Sequence, residues 1–303
     1  MRFLVTGGAG FIGSHLVKYL VNKGHSVIVV DNFHTGNAEN LIAVKDKIDL
    51  HQTDILKFDK LKSLVRNVDG VFHQAALADV QESFVKTEEY HLVNVIGTEN
   101  IFKLAKEYGF KVVYASSASV YGNPKKIPIK ENTKREPLNP YGKTKLDDEF
   151  LAEKYSAKET KIIGLRYFNV YGKGQSSSYA GVITKFLEKV RQHQPPIING
   201  DGLQTRDFVY VEDVARANLL AMEKNVDFSF INTGSGKPTS IVDLAYMMIS
   251  ASGLAIKPIH GRPQKGDVMQ SQADISLAKE LLGWTPTVDL RDWLREVLSK
   301  KTN

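Results

Sequence analysis

TGGAGFIGSHLVKYL, residues 6–20, follows a short apolar run and leads into a helical one. Gly7, Gly10 and Gly13 fall three apart within it. Glycine permits a tight turn and lets backbone approach a ligand closely. The helix expected to begin near Phe11 aims unpaired N–H groups and the positive end of its dipole at that turn. A strand, a glycine turn and a helix in this order make a cradle for a pyrophosphate. A glycine turn alone is also a common structural device, so its context decides.

The same texture continues to about residue 170. Apolar runs at 3–7, 26–31, 47–54, 70–76, 111–117 and 161–169 alternate with helical patterns at 12–23, 59–66, 83–107 and 140–157. The runs are continuous and rich in β-branched residues, as strands buried on both faces are. Alternation of this kind implies an α/β fold with a doubly wound parallel sheet and right-handed crossovers. Ligands of such sheets bind at the carboxyl ends of the strands. Beyond 170 come the loop KGQSSSYAG (173–181) and then shorter helices and strands, with turn-rich stretches at 192–202 and 261–267. The expected organisation is a cofactor domain over 1–172 and a smaller α/β substrate lobe over 173–303. The boundary is not clean, and the chain is free to cross between lobes.

Composition bounds the function. The 303 residues are 42% hydrophobic and 24% charged, an ordinary globular balance. No run approaches the roughly 20 apolar residues of a membrane span. MRFLVTGG passes straight into the first strand and glycine turn without a signal-peptide pattern. With no cysteine, disulfides and thiolate metal sites are excluded. A cytoplasmic location, no membrane partner and no metal are expected. The net charge is +6, but basic residues are dispersed among acidic ones, with runs no denser than Lys125-Lys126 or Lys300-Lys301. Nucleic acid is therefore not the expected partner. A mildly positive field also suits a phosphate-bearing small molecule.

Asp31 ends the second apolar run, eighteen positions after Gly13. That spacing suits a carboxylate accepting from a ribose 2′-hydroxyl and repelling a 2′-phosphate. No arginine follows, the next residues being Asn32, Phe33, His34 and Thr35, so NAD is expected rather than NADP. Asp31 would otherwise serve as a cap. Asp54, after the third run, is either a turn cap or a contact on the adenine side. The groove is expected to include Gly7, Gly10, Phe11, Ile12, Gly13, Asp31, Asn32, Asp54 and Ile55.

The fifth run ends in SSASVYG (116–122), and PYGKTK (140–145) follows about twenty residues later. Tyr141 and Lys145, four apart, share one helix face. A free phenol ionises near about pH 10 and is a poor base at neutrality. An ammonium and a cationic nicotinamide beside it favour the phenolate. Moving it about three units requires roughly 4 kcal/mol, within reach of two close cations in a dry site. The phenolate then takes a proton from an alcohol while the nicotinamide accepts the hydride. Ser117 would hydrogen-bond the same oxygen. Taken alone, a Y-x-x-x-K is usually helix surface and a serine pair after a strand is usually a cap. The glycine loop, in order and spacing, favours chemistry.

TGGAGFIGSH, DN, HQAA, NVIGT, SSASVYG, PYGKTK, LRYFNVYG, RDFVYVEDVA and ADISLAKELLGW occur in one order along nearly the whole chain. Together they resemble the extended short-chain dehydrogenase/reductase family, and within it the nucleotide-sugar 4-epimerases of the UDP-glucose/UDP-galactose type. The resemblance implies a Rossmann-type fold with Tyr141 as base, Lys145 as its electrostatic partner and grip on the nicotinamide ribose, and Ser117 completing the triad. It implies that Asn94, Ala75 and Ala76 line the cofactor groove. Asn169 and Arg206 would meet the diphosphate, and Arg262 and Asp267 the uridine diphosphate end. It also implies a homodimer through helices 83–107 and 140–157.

Two departures matter. Relatives that eliminate water carry an acidic pair where this chain has Ala118-Ser119, so a dehydratase is disfavoured. The closing motif R-x-G-D is stretched to RPQKGD, with the arginine five before the aspartate. Ser271 falls where such epimerases gate the space beside the sugar C2 substituent. A small residue there implies tolerance of N-acetyl sugars. The expected reaction interconverts UDP-glucose and UDP-galactose, and with Ser271 the N-acetylhexosamine pair, by transient C4 oxidation. The alternatives are a decarboxylase or 4-keto reductase of the same family and, more remotely, a non-catalytic NAD-binding protein.

Overall fold

The computed structural model describes residues 1–175, 181–263 and 268–299. The strands in chain order are β1 (Arg2–Thr6), β2 (Ser26–Asp31), β3 (Ile48–Gln52), β4 (Gly70–His73), β5 (Lys111–Ser117) and β6 (Ile162–Tyr167). They continue with β7 (Asn169–Tyr171), β8 (Ile197–Asn199), β9 (Thr205–Tyr210), β10 (Phe228–Thr233), β11 (Pro238–Ser240) and β12 (Ile259–Gly261). Seven form one parallel sheet in the order β3-β2-β1-β4-β5-β6-β10.

Alternation along each strand feeds two cores. Phe3 and Val5 of β1 join Val27, Val29, Phe72 and Val113 under Leu16, Val17 and Leu20 of helix Phe11–Asn22. Leu4 points the other way, with Ile28, Val30, Val71 and Val112, against Ile101, Phe102 and Ala152. Both faces are therefore covered, which is why the strands read as unbroken apolar runs. A third cluster, including Tyr171, Phe186, Phe208, Met248 and Trp293, fills the smaller lobe.

The packing does not divide at residue 172. β10 is the edge strand of the main sheet beside β6, and helix Val211–Glu223 packs Val214, Ala217 and Ala221 into the first core. Trp284 is buried there too, donating from Nε1 to Asp213 O at 2.9 Å. The smaller lobe keeps the sheet β11-β9-β7 and the pair β12-β8.

From β1 the chain winds outward to β2 and β3, then returns to β4 on the other side of β1. The crevice at that reversal is bounded by the ends of β1 and β4, Thr6 and His73. A ten-residue 3₁₀ segment, Ala38–Lys47, was not legible as an element. Only its Leu41 and Val44 are buried. It braces the phosphate loop, because Asn37 N and Asn40 Nδ2 both donate to Ala9 O, at 3.0 and 2.9 Å. The expected helix 83–107 is a succession: Val80–Ser83, Thr87–Tyr90, a π-turn over His91–Ile96, and Gly97–Tyr108.

Candidate active site

Gly7 adopts φ +65° at the end of β1, donating from its N–H to Val30 O at 2.8 Å. A Cβ at Gly7 would lie 2.7 Å from Ala75 N, and one at Gly13 only 2.0 Å from Gly7 O. The loop is thus folded so tightly on itself and on the end of β4 that side chains are excluded. Helix Phe11–Asn22 follows, with no side-chain cap and no acid in its first turn. Its first N–H groups are left to an anionic ligand, as a pyrophosphate requires. These features fit NAD.

Asp31 is buried at the end of β2. Its Oδ2 accepts from Ala9 N at 2.9 Å and its Oδ1 from Phe33 N at 2.8 Å. Burial pushes the carboxyl upward, and bonds from the Phe33, Ala9 and Gly10 N–H groups pull it back. A Cβ on Gly36 would come within 2.8 Å of Oδ1, so glycine keeps that side of the carboxylate open. Asp54 is a turn cap in its hydrogen bonds, accepting from Leu56 N at 2.8 Å and Asn32 Nδ2 at 2.7 Å. It also lines the groove.

Asn139 caps helix Pro140–Ser156 by accepting from Gly142 N at 2.8 Å, with Pro140 opening the first turn. Tyr141 and Lys145 thereby face the end of β5, where Ser117 sits. Ser117 Oγ accepts from Ser119 N at 3.1 Å, starting the 3₁₀ turn Ala118–Tyr121. Lys145 is 3% exposed and its Nζ donates to Asp148 Oδ2 at 3.3 Å.

A cavity of about 1490 Å³ runs over the crevice. It is lined by Gly7, Gly10, Phe11, Ile12, Gly13, Asp31, Asn32, Asp54, Ile55, Ala75, Ala76, Ser117, Tyr141, Lys145 and Asn169. Asn94 does not line it, against the sequence expectation. The π-turn directs its side chain inward, where Oδ1 accepts from Leu77 N at 2.8 Å and Nδ2 donates to Leu77 O and Thr144 Oγ1, both at 3.0 Å. Asn94 instead fixes the groove wall to the Tyr141 helix from behind.

A second cavity of about 850 Å³ adjoins the first through Val80, Gln81, Asn169, Gly181 and Lys185, and includes Ala118, Ser119, Arg206 and Ser271. Arg206 Nη1 donates to Thr205 O at 2.7 Å and Val268 O at 2.5 Å. Arg262 is exposed and lines neither cavity, and Asp267 lies outside the described residues. Asp207, which sequence reasoning passed over, organises this lobe. Its carboxylate accepts from Ser235 N and Oγ, Gly236 N and Ala273 N at 2.5 to 2.9 Å, holding the chain two residues beyond Ser271.

Also unforeseen is a buried ion pair beneath the helix of Tyr141 and Lys145. Arg166 on β6 donates from Nε and Nη2 to the two oxygens of Glu149, each at 2.8 Å. Ser116 Oγ and Arg135 Nη1 donate to the same carboxylate. Burial works against the Arg166 charge, but Glu149 outweighs it and the guanidinium titrates above its ordinary value. Glu149 lies two turns after Tyr141, and Ser116 precedes Ser117. The pair therefore sets the register between helix and strand. Glutamate and arginine in helical and strand runs otherwise read as surface, which hid it.

A dinucleotide cradle thus runs to Ser117, Tyr141 and Lys145 and adjoins a second cavity of mixed polar and apolar lining. A sequence model of the NAD dependent epimerase/dehydratase family matches residues 3–234, and the chain belongs to that family. It is 40% identical to a putative UDP-glucose 4-epimerase of Methanocaldococcus jannaschii, over 99% of this chain and 98% of that one. The solved UDP-glucose 4-epimerase of Thermotoga maritima, with UDP-glucose, superposes with a TM-score of 0.94 at 37% identity, covering 99% and 98% of the two chains. The UDP-N-acetylglucosamine 4-epimerase of Methanobrevibacter ruminantium, in complex with UDP-N-acetylmuramic acid, gives 0.93 at 34% identity, covering 98% and 97%. The chain thus falls within the nucleotide-sugar epimerase family of the extended short-chain dehydrogenase/reductase type, and its cofactor is NAD. Among the described residues no helix is long and apolar enough to cross a membrane.

Proposed function

We propose that the protein interconverts UDP-glucose and UDP-galactose, and their N-acetylhexosamine counterparts, at C4. The carrying observation is that the cavity holding Ser117 and Tyr141 adjoins the second at Asn169, with Ala118 and Ser119, next to Ser117, on the second cavity's wall. A sugar in the second cavity would present a hydroxyl to Tyr141. NAD, when bound, supplies a reversible hydride acceptor. Tyr141 takes the C4 hydroxyl proton and returns it after the sugar has turned, Lys145 stabilises the ionised phenol, and Ser117 holds the reacting oxygen. Arg206 and Asn169 suit the diphosphate that anchors the molecule meanwhile. No net redox change results. The positions after Ser117 are Ala118 and Ser119, which offer no acid–base pair for water loss.

Incubation with UDP-glucose and no added NADH is the test. UDP-galactose appearing to equilibrium supports the reading. No UDP-galactose, with a pentose product formed from UDP-glucuronate supplied separately or reaction only of a 4-keto sugar with NADH, overturns it in favour of a decarboxylase or reductase.

Ser271 is mostly buried on the second cavity, its N–H donating to Thr205 Oγ1 at 3.3 Å. Ser271→Tyr should lower kcat/KM for UDP-N-acetylglucosamine by about 100-fold or more, and that for UDP-glucose by less than about fivefold, since the larger ring fills the acetamido space. Equal effects on both sugars would remove Ser271 as the determinant. A homodimer fits the apolar side chains that helical stretches 80–108 and 140–156 leave exposed: Phe84, Val85, Leu92, Ile96 and Phe150.

A further inference from the structure

Behind the Tyr141–Lys145 face lies a polar network that the reaction as described does not use. Asp148 is one turn beyond Lys145 on the same helix and wholly buried, with Oδ2 3.3 Å from Lys145 Nζ. Its Oδ1 has no hydrogen-bond partner, and the Thr98 hydroxyl lies beside the carboxyl. Thr98 Oγ1 is hydrogen-bonded to His73 Nε2 at 2.9 Å, and His73 Nδ1 to Thr6 Oγ1 at 2.7 Å. Thr6 also accepts from Ala75 N and immediately precedes the phosphate loop. The network thus joins the ends of β1 and β4 to the catalytic lysine.

We propose that Asp148 is a positioning residue for catalysis, holding the Lys145 ammonium at one end of a buried network whose other end is the phosphate-loop strand. Almost wholly buried, Lys145 would otherwise leave an uncompensated charge free to shift among rotamers. A carboxylate behind it fixes Nζ toward the cofactor side and moderates the field the lysine exerts on Tyr141. The inference rests on Tyr141 and Lys145 being the acting pair.

The groups facing Asp148 are Lys145 and Asp147 on its own helix, Thr98 on helix Gly97–Tyr108 and Tyr114 on β5, while His73 on β4 faces Lys145. Burial raises the Asp148 carboxyl to about 7, with Lys145 pulling it down. Burial, with Lys145 adding to it, lowers His73 to about 3, so the imidazole is neutral and serves as a relay of hydrogen bonds.

Asp148→Asn keeps the shape and removes the charge. Losing one negative charge beside the pair favours the deprotonated forms around it. The pH profile of kcat should therefore move to lower pH by about one unit. At the variant's own pH optimum, kcat should fall about tenfold because Lys145 Nζ is no longer held, while KM for the sugar nucleotide stays within about twofold, because the residue touches no substrate. Asp148→Glu, which keeps the charge, should retain the wild-type profile whatever its kcat. If Asp148→Asn does not fold, Asp148→Ser is the uncharged variant. A superimposable profile and unchanged kcat in a folded uncharged variant would overturn the inference, as would equal profile shifts in the Glu and Asn variants. Lys145→Met separates the underlying reading. If that variant is inactive while Asp148→Asn behaves as wild type, only Asp148 loses its role. If Lys145→Met turns over normally, the catalytic pair itself is wrong.

Discussion

Tyr141→Phe is expected to lower kcat by about 10²–10⁴-fold while NAD content and thermal midpoint stay at wild-type values. The size is that of removing a positioned general acid–base. No hydrogen bond ties the hydroxyl to another described residue, so deleting it leaves the fold without an orphaned partner. The ring remains on the groove wall. Steady-state kinetics with the sugar nucleotide, together with NAD released on denaturation, measures both halves. Turnover within about threefold of wild type would take the proton-transfer role away from Tyr141. A joint loss of NAD and stability would mark the side chain as structural.

Glu149→Ala is expected to destabilise the protein by about 3–5 kcal/mol in denaturant unfolding, the range for breaking one partner of a buried ion pair. The variant leaves Arg166 buried without its bidentate partner and removes the acceptor of Ser116 and Arg135. Replacing both partners, as in Glu149→Leu with Arg166→Met, should cost less than Glu149→Ala alone, because no uncompensated charge remains. Additive losses would indicate that the two side chains act independently. Activity should fall with Glu149→Ala beyond the folded fraction, since Tyr141 and Ser117 lose their common brace.

The parallel sheet and the cofactor groove were legible because each follows from local pattern. Apolar runs of strand length alternate with helical periods, and Gly7, Gly10, Gly13 and Asp31, which line the groove, fall within one strand–helix–strand unit. Tyr141 and Lys145 stand together on the groove wall for the same reason, being four apart on one helix. What escaped depends on contacts across the fold. Asn94 reads as a groove residue until the π-turn rotates its amide inward. Glu149, Arg166, Asp207 and Asp148 are charged residues whose burial no local pattern announces, since each is made tolerable by partners from other elements. β10 and Trp284 belong to the first domain through packing that sequence order hides, so a linear boundary at residue 172 misplaces them.

The most direct test follows the hydrogen on C4. UDP-glucose carrying deuterium at C4 is incubated with the enzyme in ordinary water, and the UDP-galactose formed is weighed by mass spectrometry. If Tyr141 moves only the hydroxyl proton while the C4 hydrogen leaves and returns within the closed groove, the product keeps its deuterium in full. Washout of that label into solvent would mean that the C4 hydrogen leaves as a proton, and the Tyr141–Lys145 chemistry described here would be wrong.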